Sequence, residues 1–145
     1  MICLIQRVTQ SQVSVNNEII GKISNGMMVL VAFKSNDNQQ NLSKMCDKLL
    51  KYRLFSDANN RMNLNIQQKS GDILLIPQFT LAANTKSGLR PSFSSCASPE
   101  IAEKLFMDFY NLCVQQYPKV AKGKFGANMQ VSLTNDGPVT FKLET

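Results

Sequence analysis

Met129-Gln130-Val131-Ser132-Leu133-Thr134-Asn135-Asp136-Gly137-Pro138-Val139-Thr140-Phe141-Lys142-Leu143 decides how this chain folds. Met129, Val131 and Leu133 alternate with polar residues, and so do Val139, Phe141 and Leu143. That two-residue period belongs to a half-buried strand. Between the two arms stand Asn-Asp-Gly-Pro, residues that turn a chain. The segment predicts a β-hairpin turning at 135–138.

Working back from it, Ile2, Leu4, Val13 and Val15 also alternate, Asn16-Asn17 turns, and Glu18 to Lys22 returns. Met27 to Phe33, opened by Gly26, reads as a strand buried on both faces. Ile73-Leu74-Leu75-Ile76 reads as a compact central strand that delivers Pro77-Gln78-Phe79-Thr80-Leu81. Met62, Leu64 and Ile66 alternate as a further short strand. Leu42, Met45, Cys46, Leu49 and Leu50 recur at helical spacing, predicting a helix over 38–51 capped by Asp37 or Asn36. A second helix starts with Ser98 as cap and Pro99 at its first position, buries Ala102, Leu105, Phe106, Phe109, Leu112 and Cys113, and ends at Pro118. Residues 82–95 read as a long irregular loop. The expectation is one α+β domain over 1–145, a mainly antiparallel sheet curled toward a barrel and flanked by two main helices.

With 43% apolar residues in 145, a core is attainable without staples. No apolar run is long enough to span a membrane. The segment Met1 to Arg7 lacks the basic start and apolar length of a signal peptide. The four cysteines, Cys3, Cys46, Cys96 and Cys113, form no close pair, and Cys46 and Cys113 fall on the apolar helix faces as packing residues. A reduced, cytoplasmic setting is expected. The formal charge of +6 suits a polyanionic partner such as RNA, and equally a well-solvated surface.

There is no histidine, which excludes Ser-His-Asp and Cys-His catalysis within one chain. A zinc site would need four distant thiols, and no nucleotide-binding glycine motif is present, so neither metal nor cofactor is expected. Three features remain. Gln78-Phe79-Thr80, leaving a buried strand, can offer backbone N–H groups to a developing oxyanion, a stacking face and a hydroxyl; ordinary strand-end packing reads the same way. Asp136-Gly137-Pro138 can aim two carbonyl oxygens rigidly, or simply turn a hairpin. Arg7, in an apolar first strand, is held by acceptors or points to water.

Taken together, several segments resemble the D-aminoacyl-tRNA deacylases of the bacterial and eukaryotic type. They are Ile5-Gln6-Arg7-Val8, Lys51-Tyr52-Arg53-Leu54-Phe55-Ser56-Asp57, Met62-Asn63-Leu64-Asn65, Gln78-Phe79-Thr80-Leu81, Arg90-Pro91-Ser92-Phe93, Met129 to Leu133 and Asn135 to Thr140. The resemblance implies an enzyme that cleaves the ester between a D-amino acid, or mischarged glycine, and the 3′ end of tRNA, as a proofreading step in translation. It implies a homodimer in which a cis Gly-Pro pair, here Gly137 and Pro138, enters the partner's active site and rejects L-amino acids. Gln78, Phe79 and Thr80 would form the catalytic floor, Arg7 would brace the Gly-Pro segment, and Met129 would sit near the terminal adenosine. Neither membrane nor DNA is implied as a partner. Where the family usually has a serine before Gln-Phe-Thr, this chain has Pro77, which favours chemistry without a side-chain nucleophile. Two other classes stay open: a non-catalytic RNA-binding module using Phe79 or Phe93, and a general esterase with Thr80 as nucleophile.

Overall fold

Ile2–Val15 runs without glycine or proline and forms one long strand, β1, in the computed structural model, which describes residues 1–86 and 88–145. Asn16 and Asn17, at φ 50° and 67°, turn the chain into β2 (Glu18–Ile23), with Val15 facing Glu18. Two consecutive left-handed residues are what a tight hairpin requires, and asparagine tolerates them better than most. β3 (Gly26–Ala32) lies antiparallel to the first half of β1 and is buried almost throughout.

α1 (Gln39–Lys51) buries the expected stripe. Its cap is Asn38, not Asp37 or Asn36: the Asn38 side chain accepts from Gln40 N at 2.9 Å, and Asn41 Oδ1 accepts from Asn38 N at 3.1 Å. Asp37 is drawn off by stronger partners, the Met1 ammonium and the Lys34 N–H. β4 (Phe55–Ser56) and β5 (Met62–Leu64) make a small two-stranded ribbon. Ile66 does not continue it. Asn65 and Gln68 cap each other's backbone and begin a single helical turn, α2 (Ile66–Lys69).

β6 (Asp72–Pro77) runs parallel to β3, and β7 (Val120–Lys122) runs parallel to β6. The sheet is therefore mixed: β1 pairs antiparallel with β2, β3 and the C-terminal strand Gln130–Glu144, so antiparallel pairing predominates as expected, and the two pairings of β6 are parallel. The uninterrupted apolar run Ile73 to Ile76 is the mark of a strand covered on both faces, which parallel pairing supplies. α3 (Pro99–Gln116) starts where expected, although the Ser98 hydroxyl makes no capping bond. It stops two residues before Pro118 and buries Phe106 and Phe109 completely, with Leu112 only partly covered.

The tail corrects the opening expectation. Gln130–Glu144 is one strand, β8, and its two arms do not pair with each other. Both pair with β1: Val131 faces Val13, Leu133 faces Ser11, Phe141 faces Ile5 and Leu143 faces Cys3. β1 is long enough to serve both arms. At the junction the register jumps from Gln6 opposite Thr140 to Val8 opposite Asn135, so residues 136–139 bulge out opposite Arg7.

The strand order is β2-β1-β3-β6-β7, with β8 also on β1. The sheet curls until β7 meets β2, where a Cβ on Gly21 would lie 3.0 Å from the Lys122 carbonyl. One face encloses Val8, Val13, Ile23, Met28, Leu74 and Ile76; the other packs against α1 and α3. Cys46 and Cys113 meet in that second layer with their sulfurs 3.5 Å apart, buried and unbridged. Among the described residues no helix is long and apolar enough to cross a membrane.

Candidate active site

The site begins where β6 runs out. Leu75 O accepts from Gly123 N at 2.8 Å, and Gln78 N donates to Val31 O at 2.7 Å. Successive residues of a strand bond alternate neighbours, so position 77 faces the β7 side. β7 has ended at Lys122, and the N–H that Pro77 lacks has no ladder to join. The chain then bends through Gln78 into a 3-10 turn, Phe79–Ala82, whose own hydrogen bonds begin with Leu81 N to Gln78 O. The N–H groups of Phe79 and Thr80 lie outside that ladder, as the first donors of any helical turn do.

Gln78 Nε2 donates to Thr80 Oγ1, which occupies the threonine hydroxyl with its neighbour. The Phe79 ring is 55% exposed and leans on Phe93, ring centres 5.1 Å apart. Beside them opens a cavity of about 640 Å³, with Pro77, Gln78 and Phe79 along one wall, Ser98 and Pro99 at the start of α3, Phe125 to Ala127, and Met129. Met129 Sδ accepts from Lys124 N at 3.3 Å, and a Cβ on Gly123 would stand 2.7 Å from that sulfur, so any larger residue there would displace the methionine side chain. Cys96 is the one titratable side chain among the described lining residues, and burial pushes its thiol above the ordinary range. It stays protonated at neutral pH, a poor nucleophile and no base.

A second constellation lies elsewhere. Gly137 and Pro138 are exposed at the crest of the β8 bulge, joined by a cis peptide bond. Arg7 Nε donates to Asp136 O at 3.1 Å and pairs with Asp136 Oδ2 at 3.1 Å; its Nη1 donates to Leu54 O at 2.9 Å. Arg7 is thus held by acceptors, not by water. Arg7 faces Met27 on β3, while Pro77 faces Val31. Four residues of strand separate those levels by about 13 Å.

So the fold gathers Gln78, Phe79 and Met129 in one cavity, leaves Thr80 exposed at its edge, and places Arg7 with Gly137 and Pro138 at a distance. Sequence reasoning missed the wall from Phe125 to Ala127. Its signal was the pair of glycines around an aromatic, Gly123-Lys124-Phe125-Gly126, with Gly126 at φ 71°.

The family described as D-Tyr-tRNA(Tyr) deacylase matches residues 4–144. A D-aminoacyl-tRNA deacylase of Hydrogenovibrio crunogenus (strain DSM 25203 / XCL-2) is 59% identical over 149 residues, covering 100% of both chains. The D-aminoacyl-tRNA deacylase of Haemophilus influenzae (strain 86-028NP) is 54% identical over 143 residues, covering 99% of each. The chain belongs to this deacylase family. Family membership makes it a hydrolase of aminoacyl-tRNA ester bonds. The architecture of the deacylase agrees. A solved structure titled c-Myc DNA Unwinding Element Binding Protein superposes with a TM-score of 0.96 at 36% identity, covering 100% of this chain and 99% of the other. A second, titled as a probable eukaryotic D-amino acid tRNA deacylase, superposes at 0.89 with 18% identity over 99% and 98% of the two chains, a likeness of fold. Among the described residues that line the cavity, the one titratable group is the Cys96 thiol, which burial holds above its ordinary range.

Proposed function

We propose that the protein hydrolyses the ester of D-aminoacyl-tRNA, and of glycine mischarged onto tRNA, as a quality-control step, and that each site is completed by a second copy of the chain. One observation carries the reading: Gly137 and Pro138 crest an exposed bulge braced by Arg7, whose level on the sheet lies about 13 Å along the strands from that of Pro77 at their own cavity. A rigid main-chain element that far from the cavity of its own subunit fits a role in the cavity of another.

In this scheme the 3′-terminal adenosine enters beside Phe79 and Met129. The N–H groups of Phe79 and Thr80 bind the ester carbonyl and take up charge as water attacks. The neighbouring ribose 2′-hydroxyl assists the water. An aminoacyl ester is activated, so positioning and oxyanion stabilisation are sufficient without a side-chain base. The carbonyls of the partner's Gly137 and Pro138 receive the substrate amino group. With the amine fixed there, an L side chain collides with the loop, a D side chain points away, and glycine has nothing to exclude. Lys124, whose main-chain N–H bonds Met129 at the cavity wall, meets the RNA phosphates, so binding weakens with added salt.

Subunit mixing tests the shared site. Ala127→Trp fills the cavity of one chain, and Gly137→Val disables the loop of the other. Each homodimer is expected to be defective, and the mixture to regain stereoselective deacylation because intact cavity and intact loop meet across the interface. A mixture as defective as its parents, with exchange of subunits verified, contradicts the shared site.

A further inference from the structure

The bulge of β8 is held by more than Arg7. Residues 136–139 have no β1 partner, because the register passes directly from Thr140 to Asn135. Arg7 fixes one end by donating from its guanidinium to the Asp136 carbonyl. At the other end the Asn135 side chain reaches across the mouth of the loop. Its Oδ1 accepts from Val139 N at 2.9 Å, and its Nδ2 donates to Thr140 Oγ1 at 3.0 Å. Gln6 Nε2, on β1, also donates to Thr140 Oγ1 at 3.4 Å, tying this end to the sheet.

The consequence follows from peptide planarity. Val139 carries the first N–H after Pro138, which has none of its own. The Pro138 carbonyl and the Val139 N–H share one plane and point in opposite directions. Pinning that N–H to Asn135 therefore sets where the Pro138 carbonyl aims. Arg7 does the same for the plane joining Asp136 to Gly137. The two anchors bracket the exposed pair from both sides.

We propose that Asn135 is a positioning residue for stereochemical discrimination, acting by fixing the direction of the Pro138 carbonyl. This rests on the reading of Gly137 and Pro138 given above.

The test compares the wild-type protein, Asn135→Ala and Asn135→Asp in single-turnover hydrolysis of D-Tyr-tRNA and L-Tyr-tRNA, with thermal unfolding alongside. Asn135→Ala removes both bonds; Asn135→Asp retains an acceptor for Val139 N–H. The ratio of D to L rates is expected to fall by about tenfold in the alanine variant, the worth of one hydrogen bond read as a rate ratio, and to return to within about threefold of wild type in the aspartate variant. A folded alanine variant with the wild-type ratio overturns the inference. So does a parallel fall of both rates with a lowered melting temperature, since that marks a structural role alone. Equal D and L rates in the wild-type protein overturn instead the reading on which the inference stands, and the two failures are thereby distinct.

Discussion

Arg7 Nε stands 3.1 Å from both the carbonyl oxygen and the carboxylate oxygen of Asp136, while Nη1 of the same guanidinium holds the Leu54 carbonyl. One planar side chain thus fastens the β8 bulge to the segment ahead of β4. The Arg7 side chain is only 12% exposed and Asp136 50% exposed, so the Leu54 contact is sheltered while the pair with Asp136 is partly screened by solvent.

Arg7→Lys is expected to loosen the bulge. An ammonium offers a point charge and cannot serve three acceptors arranged around a plane. The loss of charge-assisted bonds is about 1.5–3 kcal/mol, and kcat/KM for D-aminoacyl-tRNA is expected to fall by about tenfold or more with the circular dichroism spectrum kept. Steady-state deacylation at fixed salt measures it.

Gly137 sits at φ 129°, a conformation L residues rarely adopt, and a Cβ there would stand 2.7 Å from Val139 Cγ2 and 3.0 Å from Arg7 Nη2. Gly137→Ala must therefore shift the crest of the bulge. Strain of this kind costs about 1–3 kcal/mol. A drop in D-aminoacyl-tRNA turnover much larger than that of Gly88→Ala, where φ is also positive at 70° but the added Cβ meets nothing within 4 Å, is the expected result.

Among the described residues that line the cavity, Cys96 is the one titratable side chain, and its thiol is held protonated at neutral pH. Cys96→Ala is expected to keep deacylation within about threefold of wild type, because a protonated thiol contributes little to ester attack. Thr80→Ala is expected to lower the rate through the lost contact to Gln78 without abolishing it. Loss of all turnover in both Thr80→Ala and Thr80→Val, with tRNA binding intact, would establish a threonine nucleophile instead.

Acid stability has a named contributor in Asp57. Backbone N–H groups of Arg61 and Asn59 bind its carboxylate at 3.0 and 2.9 Å, with Asn63 Nδ2 at 3.3 Å, and they hold its pKa below the ordinary value. A carboxylate whose folded pKa is depressed stabilises fully above its unfolded value, about 3.9, and loses that contribution as pH falls through the folded one. Asp57→Asn is expected to lower the melting temperature at neutral pH and to flatten the fall in melting temperature below about pH 4. An unchanged acid limb in the variant rules this contribution out.

Alternation makes most of the strands legible in the sequence, because a half-buried strand writes its period into the residues themselves. Pairing partners are not legible in the same way. The arms of β8 carry the pattern of a hairpin, yet β1 offers both of them a longer edge, and nothing local to 129–143 records that. The parallel placement of β6 between β3 and β7 shows only as an apolar run without alternation. At the site, Gln78, Phe79, Met129, Arg7, Gly137 and Pro138 are legible as motifs. Their division into two groups is not, since distance along a sheet depends on register. Phe125 to Ala127 reach the cavity through a loop whose path only its glycines hint at. The caps show the same limit on a smaller scale: Asp37 has the chemistry of a cap, but the Met1 ammonium, distant in sequence, claims it and leaves the role to Asn38.

The most direct measurement charges one tRNA with D-tyrosine and, separately, with L-tyrosine, and follows release of each by the purified wild-type protein under single-turnover conditions. The account predicts that the D ester is cleaved at least about a hundredfold faster, a difference of roughly 2.7 kcal/mol that a steric clash readily supplies. Equal release of the two enantiomers would contradict it.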